Sequence, residues 1–168
     1  MINHRTIGSK YISDKIDYNI IKIYDYKTGK LFYEKSLLLI DGNGNILCVG
    51  KECEYQANLS NDCIIFSPLI SGKIDKFEYT EKMIKYLLKK YIGKPSLLGY
   101  RQALIFVHED LNEINQKAYN DLIFLTRAAN VIYMDENVKG KPQTVSWENV
   151  IWQMKKLNKK LRYALEIE

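Results

Sequence analysis

No apolar run in this chain is long enough to cross a membrane. The longest, Ala103–Val107, falls far short of the roughly 20 residues a spanning helix needs. The start, Met1-Ile-Asn-His-Arg-Thr6, lacks the apolar stretch of a secretory leader. Cysteine is scarce: Cys48, Cys53 and Cys63 are odd in number and form no C-x-x-C pair, which argues against a disulfide framework or a zinc module. Neither histidine, His4 or His108, has a neighbour that would make it a ligand or base. Phosphate-binding glycine fingerprints are missing too, since Gly42-Asn-Gly44 and Gly93-Lys-Pro95 read as turns. Nor does one sign of charge dominate. Twenty-five Lys and Arg face 20 Asp and Glu, and the resulting +5 calls for no nucleic-acid partner. These absences point to a cytoplasmic chain with reduced thiols.

What is present fits an ordinary folded domain. The 168 residues are 46% apolar and 27% charged, enough to bury a core in one domain or two very small ones. Tyr18–Tyr26, Leu31–Ile40 and Ile46–Gly50 are rich in β-branched and aromatic residues and predict three antiparallel strands. Lys27-Thr-Gly-Lys30 and Asp41-Gly-Asn-Gly-Asn45 supply the turns between them. From Thr80 the period changes to a helix, with Met83, Ile84, Leu87, Leu88, Tyr91 and Ile92 on one face and Lys82, Lys85, Lys89 and Lys90 on the other. Thr80 reads as its N-cap and Gly93 as its stop.

Gln102–His108 is a nearly continuous apolar run, as a strand buried on both faces requires. Asp110 and Glu113 have capping-box spacing before a second helix, with Leu111, Ile114, Ala118, Leu122 and Leu125 as its apolar stripe. Val131–Met134 predicts another buried strand, and a last amphipathic helix is expected over about 146–165. The order βββαβαβα, with right-handed crossovers, gives an α/β fold: a mixed five-stranded sheet flanked by helices, the ribonuclease-H-like or actin-like half-fold. A single domain over residues 1–168 is expected.

Particular residues resemble a family. Ser67-Pro-Leu-Ile-Ser-Gly-Lys-Ile-Asp-Lys-Phe77 and Thr80-Glu-Lys-Met-Ile-Lys-Tyr86 are similar to the bacterial actin MreB, which carries a Pro-Leu, an acidic-Gly turn and a Thr-Glu-Lys-Met-Leu-Lys-Tyr helix in this order. Glu34–Asp41 and Ile46–Gly50 resemble its second and third strands, and the similarity runs over about residues 31–138. The resemblance implies an actin-like half-molecule in the cell-shape cytoskeleton.

The departures from the family pattern bear on activity. Where the family holds phosphate with an Asp-Leu-Gly-Thr turn, this chain has Ile7-Gly8-Ser9-Lys10. The family's water-positioning acid falls on Asn115, an amide that cannot take a proton from water. The Glu-Glu-Pro after the family's next strand is Asp135-Glu136-Asn137, and the second phosphate loop and adenine-binding half have no counterpart. No ATPase activity, cofactor, metal or catalytic residue is therefore expected. The expected function is protein interaction: with an MreB-type filament, or with further copies of the chain.

An alternative from another class is a small metal-dependent enzyme of ribonuclease-H-like fold. It would need Asp25 or Asp41 to converge with His108-Glu109-Asp110 and Asp135-Glu136 at one sheet end. The candidate interaction surface lies in the last predicted helix. Trp147, Trp152, Lys155, Lys156, Lys159, Lys160 and Arg162 combine both tryptophans of the chain with a strongly basic run. Such a helix would cover the sheet, dock on a protein partner, or make peripheral contact with an anionic membrane.

Overall fold

The computed structural model describes residues 16–25, 27–59, 62–93, 102–107, 112–126, 130–133 and 161–167. The first two described elements are β1 (Ile20–Asp25) and β2 (Lys30–Lys35), an antiparallel hairpin in register Ile20↔Lys35 to Asp25↔Lys30. Asp25 closes its turn by accepting from Lys27 N (3.1 Å) and Thr28 Oγ1 (2.7 Å), and Gly29 takes the positive φ of +70° that the turn demands.

The predicted second strand is in fact two. It breaks at Ser36, whose N–H donates to Asn19 O (2.9 Å) and whose Oγ accepts from Asn19 N (2.7 Å). Beyond that knot the chain enters a different, three-stranded sheet. There β3 (Leu38–Asp41) lies between β4 (Ile46–Val49) and β5 (Cys63–Phe66), both antiparallel to it. The predicted three-strand meander is thus divided between two sheets. A short helix, α1 (Glu52–Ala57), covers the second sheet through Cys53, which is buried with Leu37, Leu39 and Cys48. All three cysteines are free thiols. Burial pushes the Cys53 thiol well above its usual range, so it behaves as core.

A small hairpin, β6 (Leu69–Ile70) and β7 (Lys73–Ile74), leads to α2 (Phe77–Tyr91). The predicted stripe is borne out, with Met83, Ile84, Leu87 and Leu88 buried. Thr80 is not the cap. The helix begins three residues earlier, and Thr80, fully buried, donates to Lys76 O (2.9 Å) and Pro68 O (3.2 Å). Gly93 does end it, with φ +91° and its N–H on Leu88 O (3.2 Å).

Three more elements follow: β8 (Gln102–Val107), α3 (Glu113–Thr126) and β9 (Asn130–Tyr133). The last described element is a strand, β10 (Leu161–Ile167), which corrects the end of the predicted helix over 146–165 at residues 161–165. Tyr163, Leu165 and Ile167 alternate as a strand does, and the slot between β1 and β8 pairs β10 on both edges. Residues 146–160 lie outside the described residues. The five-stranded sheet is mixed, as expected, in the order β2-β1-β10-β8-β9. Leu165 and Ile167 are fully buried in one core with Ile21 and Ile23, four residues of α2, and Tyr119 and Leu122 of α3.

Candidate functional site

Ligands of α/β sheets gather beyond the carboxyl ends of parallel strands. Here β8, β9 and β10 are parallel, and one row crosses the sheet at that edge: Glu34, Ile21, Ile167, Val107 and Tyr133. Asp25 is not there. It pairs with Tyr163 near the start of β10, at the opposite edge, and both its carboxylate oxygens hold its own turn. Asp41 belongs to the three-stranded sheet. It accepts from Asn43 N, Asn45 N and Asn45 Nδ2 at 2.8–2.9 Å, and these bonds hold its carboxyl below the usual range. Asp25 thus stands at the edge of the sheet away from Val107, the last described residue of β8. His108, Glu109, Asp110, Asp135 and Glu136 lie outside the described residues. Among the described residues no three His, Cys, Asp or Glu side chains group as metal ligands would.

At the start of α3 the cap is Asn112, not the predicted Asp110. Asn112 Oδ1 accepts Asn115 N (2.9 Å), and it also accepts Asn115 Nδ2 (3.0 Å). The amide standing where the resemblance places a water-positioning acid is thus tied into the helix cap. Replacing Asn112 with Ala should cost about 1 kcal/mol, read as a lower urea midpoint at unchanged slope.

The described groups that do converge are centred on Glu34, which sequence reasoning passed over. Its side chain is fully buried, facing the end of α2 and the turn between β4 and α1. Oε1 accepts the Tyr91 hydroxyl and Lys90 Nζ (3.4 Å), and Oε2 accepts Lys51 N (2.9 Å). Lys90 also reaches Glu52 (3.3 Å), so this lysine turns inward from the predicted outer face. Gly50 sits directly against the carboxylate at φ +91°, and any Cβ there would overlap it. Burial pulls the Glu34 pKa upward, but the bonds from Tyr91, Lys51 and Lys90 outweigh it and leave the pKa below its ordinary value. Burial and Glu34 together push Tyr91 up to about 12. Both carboxylate oxygens accept from donors, so the described cluster is a tie between two sheets and a helix.

The predicted stripe of α3 is also shifted. Tyr119 and Leu122 are buried, while Ile114 is 78% and Leu125 41% exposed. These two, with Phe77, Ala118, Lys117 and Asp121, line an open groove of about 480 Å³. Of the candidate interaction residues, Trp147, Trp152, Lys155, Lys156, Lys159 and Lys160 lie outside the described residues. Arg162 lies within β10, where the register slips between Leu161 and Tyr163 and makes it the extra residue of a bulge. No described helix is long and apolar enough to cross a membrane.

A family model described as MreB/Mbl protein matches residues 17–140. The chain belongs to the MreB/Mbl family. The cell shape-determining protein Mbl of Bacillus cereus is 32% identical over 95 residues, covering 55% of this chain and 28% of that protein. Its namesake in Bacillus subtilis is 27% identical over 113 residues, covering 66% and 33%. The chain therefore spans a third or less of these relatives. Among solved structures, MreB5 of Spiroplasma citri bound to AMPPNP superposes with a TM-score of 0.60 at 17% identity, over 73% of this chain and 37% of that one. The ADP-bound form gives 0.58 over 73% and 36%. At that identity the likeness carries the actin-like fold alone. The MreB/Mbl match ends at residue 140, whereas β10, beyond it, is the central strand of the sheet.

Proposed function

We propose that this chain is a non-catalytic member of the MreB/Mbl family that works by protein contact, joining or regulating a cell-shape filament. The relatives are named as cell shape-determining proteins, and the family match covers most of this chain. The observation that carries the non-catalytic part is Asn115. Where the resemblance to MreB puts the acid that orients attacking water, this chain has a neutral amide whose Nδ2 is held by Asn112 Oδ1. Ile7-Gly8-Ser9-Lys10 supports the same reading, since it offers neither the acid nor the Gly-Thr pair of the first phosphate loop. One domain, acting through its surface, is enough for this role.

Co-sedimentation with a polymerised MreB-type filament tests the proposal, with calorimetry against Mg²⁺-ATP run on the same preparation. The chain should pellet with the filament, and titration with nucleotide should give no binding heat. A chain left in the supernatant would remove the filament partner. Micromolar affinity for Mg²⁺-ATP would remove the non-catalytic reading.

A further inference from the structure

The three-stranded sheet ends, among the described residues, at the edge of β4. Its partner β3 occupies one side of that strand. Gly50 N–H donates to Leu37 O (2.9 Å), so the next pair, Leu38↔Val49, is one in which the main chain of Val49 points away from β3. Val49 thus offers an N–H and a C=O at an edge that no described strand covers.

Helix α2 runs beside this edge in the same direction. Tyr79 OH donates to Gly44 O (3.2 Å) just before β4, and Lys90 reaches Glu52 (3.3 Å) just after it. Between helix and strand lies a groove of about 240 Å³, lined by Ile46, Leu47, Cys48, Val49, Lys82 and Tyr86. That is below the roughly 300–1,000 Å³ of small-molecule pockets. Leu47 and Tyr86 are each about half exposed at its rim. An edge strand with a slot beside it is what β-strand addition uses: main-chain bonds hold a peptide, and the slot takes its alternate side chains.

The surplus charge around the groove has one sign. From Ile46 to Lys51 the chain carries no acid. Glu52, Glu78 and Glu81 are each already bonded to a lysine. The α2 stripe of Lys82 and Tyr86 continues at helical spacing to Lys89. Lys51 and Lys89 are exposed and meet no described acid. Lys82 is bonded to Glu78 (2.6 Å), an exposed i,i+4 pair of a kind that holds weakly, so it can exchange Glu78 for an incoming carboxylate. Lys82 and Lys89 lie about two helical turns apart, ~10 Å, the length of about three extended residues.

We propose that the groove between β4 and α2 takes an extended, acidic segment of a partner protein as a fourth strand of this sheet. An apolar side chain sits between Leu47 and Tyr86, and carboxylates meet Lys82 and Lys89. A second copy of β4 fits worse. It would bring lysines against lysines, and Leu47 is the extra residue of a bulge, a device that keeps edges from pairing with their own kind. The regular stretch beyond the bulge is left for a short segment. This site narrows, and so rests on, the reading that the chain works by protein contact.

The test is a titration of the full-length protein into a fluorescein-labelled peptide of four Glu-Val repeats, read by fluorescence anisotropy. That peptide should bind several-fold more tightly than a Lys-Val peptide of the same length. Leu47→Asp and Lys89→Glu should each weaken it several-fold, whereas Ile114→Asp, in the separate groove on α3, should leave it unchanged. Should Leu47→Asp fail to fold by circular dichroism, Lys89→Glu carries the test from the exposed face of α2. Amide exchange over residues 46–50 should slow when the peptide is bound. Equal binding of the two peptides, no binding of either, or binding that the groove variants leave intact would overturn the proposal. So would a concentration-dependent dimer that Leu47→Asp abolishes, because a second copy would then be the occupant. A chain that pellets with the filament yet ignores the peptide keeps the filament partner and loses this groove.

Discussion

Leu165→Asp is expected to unfold the protein, whereas Leu59→Asp, on a residue 70% exposed, should change stability by no more than about 0.5 kcal/mol. Leu165 is fully buried at the centre of the five-stranded sheet, opposite Ile23 on one side and Ile105 on the other. Truncating such a leucine to alanine costs about 2–5 kcal/mol through lost burial and the cavity left behind. A carboxylate in the same place adds desolvation with no described cation beside it, and the total approaches the whole 5–15 kcal/mol or so that holds a domain together. Because β10 is paired on both edges, losing it also strips the ladder from β1 and β8 and leaves two open strand edges. Circular dichroism with size-exclusion chromatography reads the outcome: lost signal or aggregation for Leu165→Asp, and a native profile for Leu59→Asp. A folded, monomeric Leu165→Asp protein would show that the central strand is dispensable.

That strand also marks where the sequence stopped being legible. Local signals were readable because their causes are local. Asp41-Gly-Asn-Gly-Asn45 makes its own turn, with Gly44 at φ +81°, and the α2 stripe needs only its own period. Which strand pairs with which is not a local property. Ile46–Val49 looks like the third strand of a meander, yet it pairs with β3 in a separate sheet because the Ser36–Asn19 knot carries the chain away after Lys35. Leu161, Ala164 and Leu165 fit a helical period, Tyr163, Leu165 and Ile167 a strand alternation, and the open slot between β1 and β8 decides for the strand. At the candidate site, Asn115 was legible through the resemblance to MreB. The Glu34 cluster was not, because its parts come from β2, the turn at Lys51 and the end of α2, which no short window contains.

Glu34→Ala should cost about 3–5 kcal/mol, the loss expected when one member of a buried ionic cluster is removed and the others keep their burial. Tyr91 OH and Lys51 N would each lose an acceptor, and of its two described carboxylate partners Lys90 would keep the more exposed Glu52. Gly50→Ala should fail at the same place for two reasons, its φ of +91° and the overlap of any Cβ with the Glu34 carboxylate. Acid dependence separates charge from packing. The folded-state pKa of Glu34 is lowered from its ordinary 4.5, so its charged form adds stability above that value. The contribution fades as pH falls through the folded pKa. On the alkaline side the sign reverses. Tyr91 is raised from 10.0 to about 12, so its neutral form stabilises the fold below its ordinary value, and that stability is lost as pH rises through about 12. Urea midpoints measured from acid to neutral pH should show the unsubstituted protein pulling ahead of Glu34→Gln as Glu34 ionises, with the two converging in strong acid. A gap that stays constant across that range would mean Glu34 acts through shape alone. A gap that closes in acid makes the buried carboxylate the charge that ties β2, the β4–α1 turn and α2 into one unit.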